Sequence, residues 1–181
     1  MKRSHQILLA IVVAALALRI ALALAFIRVP GLHDPIHYYN LARHLVQGQG
    51  FTVDYVWHYS TLHDSIVHPD DHWMPLTGVI AAGGMLLGGV NVGAALLPFL
   101  LLGAMLPVLV YALARQWKLS EGSALIAAAF ALALPEFVTN SLHTDTTLPN
   151  MLLVGGTIYA LNHGMQRGAA RSFVIAGALA G

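Results

Sequence analysis

The residues able to do chemistry gather in two short polar stretches, His33-Asp34-Pro35-Ile36-His37-Tyr38-Tyr39-Asn40 and His68-Pro69-Asp70-Asp71-His72-Trp73-Met74-Pro75. The first comes only a few residues after a long apolar run, so its carboxylate, imidazoles and phenols stand where the chain leaves lipid. Asp34 before Pro35 reads in two ways. It is an N-cap for a helix that Pro35 opens, or it is a general base that takes a proton from a hydroxyl at the membrane surface. In the second stretch, the paired carboxylates Asp70 and Asp71 beside His72 could hold a sugar by hydrogen bonds. They could also hold a divalent cation, or form a solvated turn with Trp73 anchoring the next helix. His58 and His63 lack tight ligand spacing such as HExxH, so no zinc enzyme is expected. Asp145, in His143-Thr144-Asp145-Thr146-Thr147, is a further acidic candidate or another turn residue.

Seven of the ten histidines (33, 37, 44, 58, 63, 68 and 72) and five of the eight acidic residues (34, 54, 64, 70 and 71) lie between positions 28 and 75. Arg19 stands alone as a charge inside an apolar run. A buried cation there is expensive and must face protein or snorkel. It could meet a lipid phosphate, an acid such as Asp145, or backbone carbonyls.

The elements that must position these residues are membrane helices. The 181-residue chain is 57% hydrophobic and only 9% charged, too little charge to coat a soluble domain. Its net charge of +1 gives no basis for nucleic-acid binding. The absence of cysteine removes disulfides and thiolate chemistry. The fold class expected is an all-α, polytopic transmembrane bundle with interfacial helices in a long first external loop. The run at 7–27, about 21 residues, is long enough to span and has no small-residue cleavage site after it, so it reads as an uncleaved signal-anchor. Further spans are expected at about 94–114, 123–138 and 148–162, with another starting at 172. The C-terminal apolar run is too short to cross, so the chain reads as an N-terminal piece of a longer protein. Lys2 and Arg3 place the N-terminus in the cytoplasm. Arg115, Lys118, Arg167 and Arg171 return to that side, which leaves the 28–75 loop outside. The same charges require the glycine-rich stretch 75–89 to be interfacial or re-entrant rather than spanning.

Within the loop, Tyr38, Leu41, Ala42 and Leu45 share one helical face, with Asn40, Arg43, His44 and Gln47 mostly on the other, and Gly48 and Gly50 end the helix. Ser120 should cap the helix after it.

In chain order, a spanning helix, an Asp, "YYNLARHLVQGQGF", "HWMPL", an apolar interfacial segment, "VYALARQWKLSEGSALIAAAFALALP" and an external Asp form a familiar arrangement. It resembles the N-terminal part of the polyprenyl-phosphate-sugar-dependent membrane glycosyltransferases of GT-C fold, near the protein O-mannosyltransferase-like and lipopolysaccharide-core galacturonosyltransferase-like families. That resemblance implies a membrane glycosyltransferase moving a sugar from a polyprenyl-phosphate donor to a hydroxyl acceptor on a glycan, lipid or protein, with inversion, on the extracytoplasmic face. By position Asp34 would be its catalytic base. Pro35 stands where such families carry a second acid, a role that Asp70 or Asp71 could fill. Substrate contacts would come from Asp70, Asp71, His72, His37, Tyr38, Arg43 and Asp145, and phosphate contacts from Arg19 and Arg28. No metal ligand set is assigned, although a divalent cation could sit near Asp70, Asp71 and His72. A prokaryotic inner membrane is the expected location. The competing classes are a transporter, which would need ionisable groups deep in several spans, and a non-catalytic metal-binding membrane module, to which the histidine-rich loop would lend itself.

Overall fold

The computed structural model describes residues 3–55, 65–71 and 73–181. Among them the chain is all-α apart from one two-residue strand pair. Its elements are α1 (Arg3–Phe26), α2 (Asp34–Val46), β1 (Thr52–Val53), β2 (His68–Pro69), α3 (Leu76–Gly88), α4 (Val92–Gln116), α5 (Glu121–Ala133), α6 (Pro135–Asn140), α7 (Thr147–Arg167) and α8 (Ala170–Ala180). α1 and α4 are long and apolar enough to cross a bilayer. α1 fully buries only Ala15 and Arg19; Leu8, Ile11, Val12, Leu16 and Leu22 extend that stripe as half-buried neighbours, and the opposite face is left for lipid. α3, at 13 residues, is about 20 Å long and falls short of a hydrocarbon core of about 30 Å.

The contacts divide into two compact units. The first comprises Met1–Leu22, Leu100–Ser141 and Thr146–Gly181; the second comprises Ala23–Phe99 and Leu142–Asp145. In the first unit the helix expected over 123–138 is two helices. Ser120 accepts from the Ser123 backbone N–H at 3.1 Å and so caps α5. At the other end, Pro135 forces Leu134 into an extended conformation (φ −59°, ψ 123°), and the chain restarts as α6.

This break explains Arg19. Its side chain is completely buried and donates to the carbonyls of Ala15 (3.0 Å), Leu132 (3.2 Å) and Phe137 (3.3 Å). Leu132 lies in the last turn of α5 and Phe137 within the short α6, where carbonyls run out of helical donors. Of the partners open to Arg19 in the sequence, the backbone is the one observed. A guanidinium at the carbonyl end of a helix is also favoured by the helix dipole. Gly103 makes room for it: a Cβ there would lie 2.5 Å from Ser141 Cβ and 2.8 Å from Arg19 Nε.

In the second unit α2 lies on α3, and Gly78 lets the Leu41 side chain approach to 2.6 Å from where a Cβ would be. α3 turns tightly into α4, and a Cβ on Gly84 would overlap the Ala94 carbonyl oxygen. That oxygen belongs to backbone and cannot swing aside. Gly84→Ala is therefore expected to destabilise the protein by about 1–3 kcal/mol. A drop in the detergent melting temperature would show it, and an unchanged melting curve would count against this packing.

Candidate active site

The first turn of α2 carries the candidate base, Asp34. The helix begins at Asp34 itself. His33 holds the cap position at φ 59° and ψ −125° with no side-chain capping bond, and Pro35 comes within the first turn. Asp34 is therefore not the N-cap, and its carboxylate makes no hydrogen bond or ion pair among the described residues. The opposite end of α2 is closed by Gly48, which adopts φ 76°, a backbone state that costs glycine little.

The buried face of α2 is wider than its apolar pattern implies. Pro35, His37, Tyr38, Leu41, Ala42 and His44 are all buried. Tyr38, Leu41 and Ala42 fit the amphipathic reading, but His44, expected on the polar face, is only 2% exposed. The reason is the segment 52–55, which lies along α2 and supplies a polar partner at each step. Thr52 Oγ1 donates to the Gln49 carbonyl at 3.2 Å, so its lone pairs accept from His44 Nδ1 at 2.8 Å. Asp54 accepts from Asn40 Nδ2 at 2.5 Å on one oxygen and from Arg43 at 2.5 Å on the other, with His44 Nε2 at 3.5 Å. Tyr55 Oη meets His37 Nδ1 at 2.5 Å. The strand pair anchors this segment in register: Val53 faces His68, and the Asp70 N–H donates to the Phe51 carbonyl at 2.9 Å. His68 Nε2 lies 3.0 Å from the Tyr55 carbonyl.

That register delivers Asp70 to α2. Its side chain is 2% exposed and its Oδ1 lies 3.4 Å from His37 Nε2. Neither of its oxygens accepts a hydrogen bond among the described residues. The His37 ring also meets Tyr38, Tyr55 and Trp73 edge-on. Burial, with the charges of Asp70, Asp34 and Asp54 adding to it, pushes the Tyr55 phenol well above its ordinary range. It therefore keeps its proton as a phenol beside His37 Nδ1. Three carboxylates far apart in sequence thus act on one phenol.

The remaining candidates do not all reach this corner. Asp71 is exposed and His72 lies outside the described residues, as do His58, His63 and Asp64. Asp145 is half-buried. Its neighbour Thr144 donates to the Pro35 carbonyl at 2.7 Å, which draws the 142–145 segment to the first turn of α2, beside Asp34. Arg43 is held by Asp54. Arg28 is exposed and folds back to donate to the Leu24 carbonyl at 2.6 Å, just past the end of α1. Arg19 donates to the carbonyls of Ala15, Leu132 and Phe137. Tyr55, Asp54 and Thr52 are residues that the sequence pattern does not single out. Only the alternation of polar groups in Thr52-Val53-Asp54-Tyr55 hints that one edge of this segment has partners.

Asp54 makes the zipper acid-sensitive. Burial raises its carboxyl, but the hydrogen bond from Asn40 and the charge and hydrogen bond of Arg43, with a smaller contribution from His44, outweigh that and hold it below the ordinary value of 3.8. A lowered carboxyl contributes its stabilisation in full above the unfolded value and loses it as pH falls through the folded one. The melting temperature of the wild-type protein is expected to fall towards that of Asp54→Asn as pH is lowered from about 5 to below 3. Parallel curves would remove Asp54 from the stability of this segment.

A helical membrane scaffold with a carboxylate-rich polar site at a helix start defines an integral membrane glycosyltransferase of the GT-C type when taken with the chain's family match. Residues 67–181 match the dolichyl-phosphate-mannose-protein mannosyltransferase family, and the chain belongs to that family. The match includes Asp70, Asp71 and Asp145 and begins after α2, so Asp34 lies outside it. Comparison with curated proteins and with solved structures gives no match.

Proposed function

We propose that this protein transfers a sugar from a polyprenyl-phosphate donor to a hydroxyl acceptor, with inversion, on the extracytoplasmic face of a prokaryotic inner membrane. The observation that carries the proposal is Asp34: a carboxylate with no partner of its own among the described residues, at the start of a helix whose next turn is buried against a second carboxylate. Asp34 removes the acceptor proton as the oxygen attacks the anomeric carbon. The sugar–phosphate bond breaks and polyprenyl phosphate leaves with the electron pair. The lipid donor and the polar acceptor come from different phases, which is why the base belongs at the interface.

Asp70 is the candidate for the second acid that Pro35 displaces. His37, Tyr38, Asp71, His72 and Asp145 are the candidate sugar and acceptor contacts. Arg28 is exposed at the end of α1 and is the better placed cation for the leaving phosphate. Arg43 helps through Asp54, as part of the zipper. A divalent cation near Asp70, Asp71 and His72 is the alternative use of that corner.

The test uses the intact protein in proteoliposomes with a panel of polyprenyl-phosphate sugars and hydroxyl acceptors. Release of polyprenyl phosphate matched by product of inverted anomeric configuration is expected. Retention of configuration, or no release with any donor, would overturn the proposal. Chelation by EDTA is run alongside: a loss restored by Mg²⁺ or Mn²⁺ would place a cation at that corner.

A further inference from the structure

Resting on the assignment of Asp34 as the base, we propose that Thr144 is the positioning residue that sets where Asp34 points. The backbone leading into the first turn of α2 is strained and weakly bonded. Gly31 takes φ 105° and His33 takes φ 59°, a region that residues with side chains rarely adopt. His33 supplies no capping bond. The backbone bond that opens the helix, from the His37 N–H to the His33 carbonyl, is long at 3.3 Å. Pro35 has no N–H to add to that turn. A general base, by contrast, must be placed to within a fraction of an ångström of the proton it removes.

The turn is held from 109 residues away. Thr144 Oγ1 donates to the Pro35 carbonyl at 2.7 Å, and Pro35 directly follows Asp34. Thr144 is 1% exposed, so water does not compete for this bond. His143 packs beside it: its Cδ2 lies 3.5 Å from where a Cβ on Gly31 would be, and Pro35 Cβ lies 3.2 Å from the same point. The segment Leu142–Asp145 thus closes on Gly31 and on Pro35, on either side of Asp34 in the chain. It belongs with α2 in one compact unit.

Contacts that bracket one residue fix the direction of its Cα–Cβ bond. A hydrogen bond does this better than apolar packing, because it is directional and short. Thr144 lies inside the stretch that matches the family and Asp34 outside it, so the matched stretch supplies the clamp and α2 supplies the carboxylate. Being buried, Thr144 does not meet substrate; its effect on the reaction passes through Asp34.

The experiment compares wild type, Thr144→Val, Thr144→Ser, Asp34→Asn and the double variant Asp34→Asn/Thr144→Val in the intact protein. Polyprenyl phosphate release is measured per bound radiolabelled donor, so unfolded protein drops out of the rate. Valine keeps the shape of threonine but sets a methyl against the carbonyl oxygen, and carbon rests at about 3.3 Å or more from oxygen. The first turn must then recede by roughly half an ångström. Since a misplacement of about 1 Å can cost 10²-fold, Thr144→Val is expected to lower kcat by about 10-fold or more with KM nearly unchanged. Thr144→Ser keeps the donor and should recover most of the rate. In the Asp34→Asn background, Thr144→Val should cost nothing further, because two residues that act as a unit are not additive. Should Thr144→Val retain no donor, Thr144→Ala removes the hydroxyl without the push and is read in its place. Normal kcat without the hydroxyl, a Thr144→Ser as slow as Thr144→Val, or an equal loss in both backgrounds would overturn the positioning role. If Asp34→Asn is fully active, the assignment of the base fails and the role of Thr144 with it. If Asp34→Asn is inactive and Thr144→Val normal, the base stands and the positioning role alone fails.

Discussion

Asp34→Asn is expected to lower the rate of sugar transfer by about 10²- to 10⁴-fold while leaving donor affinity within a few-fold of wild type. The substitution is nearly isosteric. The helix does not depend on this side chain for its cap, because His33 holds that position and no side-chain capping bond exists. Among the described residues no hydrogen bond or ion pair uses the Asp34 carboxylate, so folding should survive. The amide removes the lone pair that takes the acceptor's proton, an interaction made only as the reaction proceeds. The loss should therefore fall on kcat and kcat/KM together rather than on KM. Donor binding measured by retention of a radiolabelled polyprenyl-phosphate sugar separates this from a binding defect. An active Asp34→Asn would move the role of base to Asp70, Asp71 or Asp145.

The second large effect is structural. Arg19→Met keeps much of the length and the apolar stem of the side chain but withdraws the donors from Leu132 and Phe137. Each carbonyl left buried without a donor costs about 1–3 kcal/mol, and the Ala15 bond within α1 is the least affected because that carbonyl also has its helical partner. Arg19→Lys should recover only part of the loss, since one ammonium cannot reach three separated carbonyls as the guanidinium fork does. Gly103→Ala should phenocopy the Met variant by driving a methyl into Ser141 and Arg19 Nε. Thermal melting in detergent, with limited proteolysis around Leu134 and Pro135, would read all three. Equal stability of wild type and Arg19→Met would mean that the guanidinium is held for another purpose, such as a lipid phosphate.

Arg19 and His44 show where the linear pattern stops being informative. An arginine in an apolar run announces that it has a buried partner, but the partner depends on where another helix breaks. Pro135 is visible in the sequence. That Leu134 extends and that freed carbonyls then face α1 is not, because these residues are more than a hundred positions apart. His44 looks solvent-facing from helical periodicity, since an imidazole counts as polar. Thr52 and Asp54 cover it with hydrogen-bonding groups, and a satisfied histidine is buried as readily as an apolar residue.

The sequence by itself determined the solvent of this protein and the neighbourhood of its chemistry. Low charge and long apolar runs leave only membrane helices as a solution, because backbone polar groups in lipid must be paired within the segment. The same pattern located α1 and α4 and put histidines and acids together in one polar stretch. Tertiary structure alone decided which of them meet. The β1–β2 register carries Asp70 to His37, Thr144 carries Asp145 to the first turn of α2, and the 52–55 segment brings Tyr55 to His37 and Asp54 to Arg43. Those pairings depend on side-chain distances of a few ångströms between residues that periodicity treats separately. Hydrophobic periodicity is blind to them because it records which residues are apolar, not which polar groups satisfy one another.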